Sequence, residues 1–207
     1  MAGVAAVAVA PNGGRRTQAD HPALPTTPEE LARCAAECAE HGAAMIHLHV
    51  RNPAGHHTLH AGAYAAGIAA VKKAVGRGLV VQMTTEAVGS YRPQEQIAAV
   101  RAVGPEAASL SVRELCPDVA AEKDFAGLLE WMHKESIAPQ FILYSKDDAA
   151  RLIDLRKRGV VPGKGAAVVV VESDVSSLVV RVDLVRAVAT AEQATLEPVD
   201  GARAAEG

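Results

Sequence analysis

The sequence is poor in aromatic residues and has no surplus of basic charge. Aromatic side chains make up 3% of the 207 residues, so the core must be built from Ala, Val, Leu and Ile. The formal net charge is −3, so the chain has no surplus of basic residues that would indicate nucleic acid binding. Hydrophobic residues (49%) and charged residues (22%) indicate a globular chain. We expect a single domain over residues 1–207, with a loose tail from about residue 197.

Cysteine is also scarce, and no apolar run is long enough to span a bilayer. The three cysteines are Cys34, Cys38 and Cys116. An odd number does not fit a disulfide framework, and it favours buried thiols in a reducing cytoplasm. A metal site at Cys34 and Cys38, one helical turn apart, is the weaker alternative. Gly-x-Gly-x-x-Gly and phosphate-loop motifs are missing after the predicted strands, which disfavours a nucleotide-binding fold.

Short apolar runs alternate with helical segments along the whole chain. Predicted strands cover 4–10, a stretch through His47 and His49, 79–85, 107–111, 137–144 and 166–171. Predicted helices cover about 28–41, 61–75, 93–103, 120–135, 146–158 and 182–193. Repeated strand-helix units imply a parallel sheet with helices outside it. The sequence therefore predicts an α/β fold with about six strand-helix units, two fewer than a complete (β/α)8 TIM barrel contains.

Two histidines stand at the end of the second predicted strand. Side chains alternate along a strand, so His47 and His49 point the same way and Leu48 points the other way. Imidazoles on alternate residues can converge on one zinc ion. The alternative is two histidines on a half-exposed strand, which the apolar character of the strand disfavours.

Further polar residues follow the other strands, where the barrel fold builds its sites. Arg15, Arg16 or Arg51 could hold a substrate carboxylate bidentately, and surface charge is the competing interpretation of each. For Thr84 and Thr85 the alternative is a pair of satisfied strand-end hydroxyls. His56, His57 and His60 follow Gly55 and are better explained as a solvated loop. The predicted substrate-binding residues are Asn12, Arg15, Thr85 and Ser111.

Several blocks of this sequence resemble the β-keto acid cleavage enzymes, the family of 3-keto-5-aminohexanoate cleavage enzyme. These blocks are Ala8–Gly13, His21–Glu30, Gly42–Arg51, Gln82–Thr85 and Ile137–Gln140. The resemblance extends to about Gly163. It implies a zinc-bearing (β/α)8 barrel that condenses a β-keto acid with acetyl-CoA, giving acetoacetate and a new acyl-CoA.

The resemblance also implies roles for individual residues. His47 and His49 match the histidine zinc ligands, and Glu172 is the nearest match to the glutamate ligand. Asp174 stands near the aspartate that helps to remove the substrate proton, although one place late. Thr84 matches a hydroxyl that touches the substrate. The predicted catalytic residues are Asp174, Thr84 and Arg51.

The sequence departs from the family pattern at other positions. Gln140 replaces a glutamate, and Val168 stands where an arginine would partner the aspartate. The missing units are explained by an internal deletion between Pro162 and Glu172. These departures favour a catalytically inactive family member as one alternative to β-keto acid cleavage. A different metal-dependent lyase or hydrolase on the same barrel is the other.

An incomplete barrel should also affect assembly. Six units cannot close an eight-stranded barrel, and an open parallel sheet leaves unpaired edges. We therefore expect that the chain covers those edges by forming a homo-oligomer or else is poorly soluble, and that it has no nucleic acid or membrane partners.

Overall fold

The main sheet is built from six parallel strands that follow one another in chain order. The computed structural model describes residues 6–162 and 166–169, the last four through their backbone alone. The strands are β1 (Ala8–Val9), β2 (Met45–Leu48), β5 (Val80–Met83), β6 (Ala107–Ser111), β7 (Ala138–Leu143) and β8 (Ala166–Val169). Between β2 and β5, β3 (Val50–Arg51) and β4 (His57–Thr58) form an antiparallel hairpin.

Helices connect the strands of the main sheet. They are α1 (Pro28–Glu40), α2 (Ala61–Val75), α3 (Pro93–Val103), α4 (Val112–Leu115), α5 (Glu122–Lys134) and α6 (Lys146–Lys157). Sequential strand order with right-handed crossovers sends each connection over the same face of the sheet. In agreement, α1 packs on α2 and α2 packs on α3. This is the arrangement of a barrel wall, and the predicted barrel-derived fold with about six units is confirmed.

The helix boundaries follow from capping signals in the sequence. Thr27 caps α1, because its side chain accepts from the Glu30 backbone N–H while the Glu30 carboxylate accepts from the backbone of Thr27. Ser145 and Asp148 form the same reciprocal pair at the start of α6. Such capping boxes satisfy backbone donors that the helix leaves without partners. Gly42, with φ of 87°, follows α1 in the left-handed region that favours glycine.

The core between the sheet and the helices is largely aliphatic, as the scarcity of aromatics predicts. Leu48, Met83 and Leu110 are fully buried on the helix-facing side of their strands. The two phenylalanines, Phe125 and Phe141, pack edge to face with ring centroids 6.3 Å apart. Each large buried side chain contributes about 1.5–3 kcal/mol relative to an exposed one.

Some predictions about local structure need correction. The first strand is shorter than predicted, since residues 6 and 7 are not part of β1. The β3–β4 hairpin was not predicted. Cys34 and Cys38 are half-buried rather than buried, and Cys116 is buried. Burial raises the pKa of the Cys34 thiol to about 11, which keeps it protonated and poorly nucleophilic.

Part of the chain lies outside the described residues. The helix predicted for 182–193, the tail from 197, and both Glu172 and Asp174 belong to that part. None of the described helices is long and apolar enough to cross a membrane.

Candidate active site

Two imidazoles meet at the carboxyl end of β2. His47 and His49 share the face of the strand opposite Leu48, as the alternation of side chains requires. Their Nε2 atoms are 3.1 Å apart, and their ring centroids are 5.0 Å apart. The predicted pairing of these two histidines is therefore present in the fold.

The orientation of His47 is fixed by Gln82, which the sequence analysis did not single out, in a chain of contacts that extends to Gln140. Gln82 is the register partner of His47 on β5, and it is 1% exposed. Its Oε1 lies 2.7 Å from Nδ1 of His47, and its Nε2 donates to Oε1 of Gln140 over 2.8 Å. Because an amide oxygen only accepts, His47 carries its proton on Nδ1 and leaves the lone pair of Nε2 facing His49. Cross-strand register to His47 is the signal that could have identified Gln82.

His49 is held through its backbone by a buried asparagine. Asn12 donates from Nδ2 to the carbonyls of His49 (2.7 Å) and Pro25 (2.9 Å). The structure therefore gives Asn12 a bracing contact with this loop, while its predicted part in substrate binding stays a prediction. Gly14 approaches the His49 ring so closely that an added Cβ would lie 3.3 Å from Nδ1. A larger residue at Gly14 would have to displace its neighbours.

Burial favours the neutral form of both imidazoles. It lowers the pKa of His47 and lowers the pKa of His49 further, because charging a buried group forfeits its hydration. Neutral imidazole is the form that ligates metal. Two nitrogens bound tetrahedrally to one zinc ion would lie about 3.3 Å apart, close to the 3.1 Å observed between the Nε2 atoms. The pair therefore fits two positions of a divalent-metal site.

The remaining ligands of such a site are not all assigned. Within residues 6–162 and 166–169, no group of three or more His, Cys, Asp or Glu side chains is arranged to hold a metal ion. Glu172, the predicted third ligand, lies outside the described residues. Glu86 approaches the pair, with Oε2 3.8 Å from Nε2 of His49. Burial raises the pKa of Glu86, and nearby Glu114 raises it further.

One of the three histidines assigned to a solvated loop belongs to the site instead. His56 and His60 are exposed as expected, but His57 is half-buried on β4. Its ring centroid lies 5.3 Å from that of His49, and its Nε2 donates to the Glu86 carbonyl over 2.9 Å. The neutral tautomer then leaves Nδ1 of His57 as an acceptor, and this buried atom has no partner among the described residues. The prediction for His57 was wrong because the hairpin folds it back over the strand ends.

The predicted hydroxyl groups differ in their surroundings. Thr84 follows Met83 at the end of β5, and its Oγ1 accepts from the Glu86 backbone N–H. Thr85 donates to the Ser109 carbonyl over 2.7 Å, a contact that fastens β5 to β6. The hydroxyl of Ser111 is buried and has no partner in the part of the chain that is described. Substrate contacts of these residues stay predictions, and Ser111 has the hydroxyl best able to make one.

Two of the three candidate arginines, Arg15 and Arg51, lie at a cleft beside the histidine pair. Arg51 donates to the carbonyls of Gly13, Gly14 and Arg16, so it fixes the loop after β1. Arg15 is exposed on that loop. Both line a cleft of about 380 Å³, together with Gly14, Thr17, Gly55, His56, His57, Val88 and Ser90. This volume is in the range of small-molecule sites.

Comparison with known proteins gives a family match over most of the chain. The family model of the beta-keto acid cleavage enzymes matches residues 5–197. A 3,5-dioxohexanoate:acetyl-CoA acetone transferase from Paraburkholderia graminis is 31% identical over 107 residues, which are 51% of this chain and 34% of that protein. The matched region of this chain thus covers about a third of the length of this curated relative.

Two solved structures are similar to part of this chain at low identity. D-glucarate dehydratase from Agrobacterium tumefaciens is 17% identical with a TM-score of 0.40, over 65% of this chain and 33% of that one. A candidate phosphonomutase from Burkholderia cenocepacia J2315 is 15% identical with a TM-score of 0.45, over 74% of this chain and 69% of that one.

Proposed function

Because this chain belongs to the β-keto acid cleavage enzyme family, we propose that it transfers the acyl group of a β-keto acid to coenzyme A in a metal-dependent reaction. The observation that carries the proposal is the convergence of His47 and His49, with their Nε2 atoms 3.1 Å apart at the carboxyl end of β2. Sites of barrel enzymes are built at this end of the strands.

The proposed reaction exchanges acyl groups between two substrates. A β-keto acid and acetyl-CoA give acetoacetate and a new acyl-CoA. Removal of a methylene proton begins the exchange, and Asp174 is the proposed acceptor of that proton. The carboxymethyl unit bonds to the acetyl carbon as the acetyl–sulfur bond of acetyl-CoA breaks. The bond between the original keto carbon and the methylene then breaks, the acyl group passes to the coenzyme A sulfur, and the proton returns to the methylene carbon of acetoacetate.

His47, His49 and Glu172 would hold the metal, and we propose zinc. Bound zinc polarises a keto oxygen as a Lewis acid and stabilises negative charge that develops there. The contribution of the described residues is to orient the ligands. Gln82 and Gln140 fix the tautomer of His47, and Asn12 anchors the backbone of His49. Partners of this kind raise metal affinity because the ligand needs no reorientation.

The substrate-facing groups around the pair are polar. The buried Ser111 hydroxyl is available to a substrate oxygen, and Thr84 lies one strand away from His49. Arg51 acts mainly by holding the loop after β1 in place. The name of the Paraburkholderia graminis relative adds 3,5-dioxohexanoate to the candidate substrates for this chain.

An acyl-exchange assay tests the proposal. Purified, zinc-supplied protein is incubated with acetyl-CoA and a panel of β-keto acids that includes 3,5-dioxohexanoate, and the coenzyme A esters are separated by chromatography. We expect a new acyl-CoA and an equal amount of acetoacetate, with none formed by His49→Ala. Consumption of a keto acid without acetyl-CoA would instead identify a different lyase or hydrolase. No turnover across the panel would favour the catalytically inactive alternative.

A further inference from the structure

The cleft lined by Arg15 and Arg51 is adjacent to the histidine pair. His57 lines the cleft, and its ring is 5.3 Å from the ring of His49. Gly14 also lines it, and an added Cβ there would lie 3.3 Å from Nδ1 of His49. A chain of a few carbon atoms is therefore long enough to reach from the histidine pair into the cleft.

The cleft is rich in hydrogen-bond donors and carries positive charge. Arg15 and Arg51 supply two positively charged guanidinium groups. The carboxylate of Glu86, beside Gly14, supplies one opposing negative charge. The terminal nitrogens of Arg51 donate hydrogen bonds to three backbone carbonyls, whereas its buried Nε has no acceptor in the described part of the chain. Arg15 lies at the rim, where a guanidinium can bind a carboxylate bidentately.

We infer that this cleft is the specificity pocket for the substituent of the β-keto acid, and that it selects a substituent ending in a second carboxylate. The inference rests on the proposed function and adds the substrate class, a β-keto dicarboxylate. The phosphates of coenzyme A are a poorer match for the cleft. The pantetheine chain separates them from the reacting thioester by much more than the 5.3 Å between the rings of His49 and His57. A cationic substituent would meet unfavourable charge from both arginines.

A matched pair of substrates tests the inference. 3-Oxoadipate and 3-oxohexanoate have the same chain length and differ in the terminal carboxylate. We expect kcat/KM to be at least about tenfold higher for 3-oxoadipate, the size of effect typical of a charged hydrogen bond. Arg15→Gln should remove this preference. The control Arg77→Gln, an exposed arginine that precedes β5 at the opposite end of the sheet, should retain it.

The outcomes separate this inference from the proposed function. Equal kcat/KM for the two acids, or a preference that survives Arg15→Gln, overturns the inference while acyl transfer stands. If neither acid is turned over, calorimetry with the unreactive probes 3-hydroxyadipate and 3-hydroxyhexanoate decides it. Tighter binding of the diacid that is lost in Arg15→Gln supports the cleft as a carboxylate pocket, and equal binding of the two probes rules it out.

Discussion

Replacing Gln82 with methionine should weaken metal binding without unfolding the chain. Methionine has nearly the shape of glutamine, so the buried volume is conserved. The change removes the acceptor for His47 Nδ1 and the donor to Gln140, two contacts of 2.7 and 2.8 Å. Without an acceptor for the Nδ1–H of His47, the tautomer and the ring angle of this histidine are no longer fixed.

The magnitude follows from the position of Gln82 behind a ligand. Loss of such a partner typically lowers metal affinity 10- to 100-fold, or about 1.4–2.7 kcal/mol. Stability should also fall by about 1–3 kcal/mol, because the Nδ1–H of His47 is left buried without a partner. Competition with a chromophoric zinc chelator measures the affinity, and urea denaturation in the presence of a chelator measures the stability.

Gln96→Met provides the matched control. Gln96 is also a buried glutamine with two contacts, to the Thr85 carbonyl (2.6 Å) and the Glu114 carboxylate (3.0 Å). It should lose similar stability and keep its zinc affinity within about threefold, since neither contact involves a histidine. A folded Gln82→Met protein with wild-type zinc affinity would refute the reasoning about His47.

The remaining predictions concern pH, assembly and the proton acceptor. Burial opposes ionisation of Asp148, but the Arg113 guanidinium and two backbone N–H groups outweigh it and hold the pKa of Asp148 below 3.8. The resulting stability is present above pH 3.8 and is lost as the pH falls through the folded-state pKa. Asp148→Asn should therefore cost about 1–3 kcal/mol at pH 7 and nothing at a pH below that pKa, as urea denaturation at both would show. Sedimentation should find an oligomer, because β1 and β8 end the sheet within the described residues; a well-behaved compact monomer argues against this. Asp174→Asn should abolish turnover and leave metal bound, whereas full activity would remove Asp174 from the mechanism.

The sequence was sufficient where local signals are strong. The helices predicted for 28–41 and 146–158 begin at the capping boxes of Thr27 and Ser145, a local signal because capping is a contact between residues three positions apart. The His47-Leu48-His49 stretch predicted two imidazoles on one face, because alternation along a strand is a property of the backbone. Sequential strand-helix units predicted the order of the sheet.

The contacts that complete the site depend on residues far apart in the chain. Gln82 reaches His47 through the register of two strands and reaches Gln140 across a third. His57 comes back to His49 only because β3 and β4 pair as a hairpin. No local pattern specifies either contact, since strand register and hairpin direction are set by the packing of the whole sheet.

Zinc content is the measurement that tests the central claim most directly. Protein supplied with zinc and then freed of loosely bound metal should retain about one zinc ion per chain by elemental analysis. His47→Ala and His49→Ala should each lose most of it, because each removes one of the two imidazoles whose Nε2 atoms converge. His60→Ala, an exposed histidine outside the pair, should retain it. Wild-type protein that holds no divalent metal after zinc is supplied, or zinc retained in full by both variants, would contradict the account.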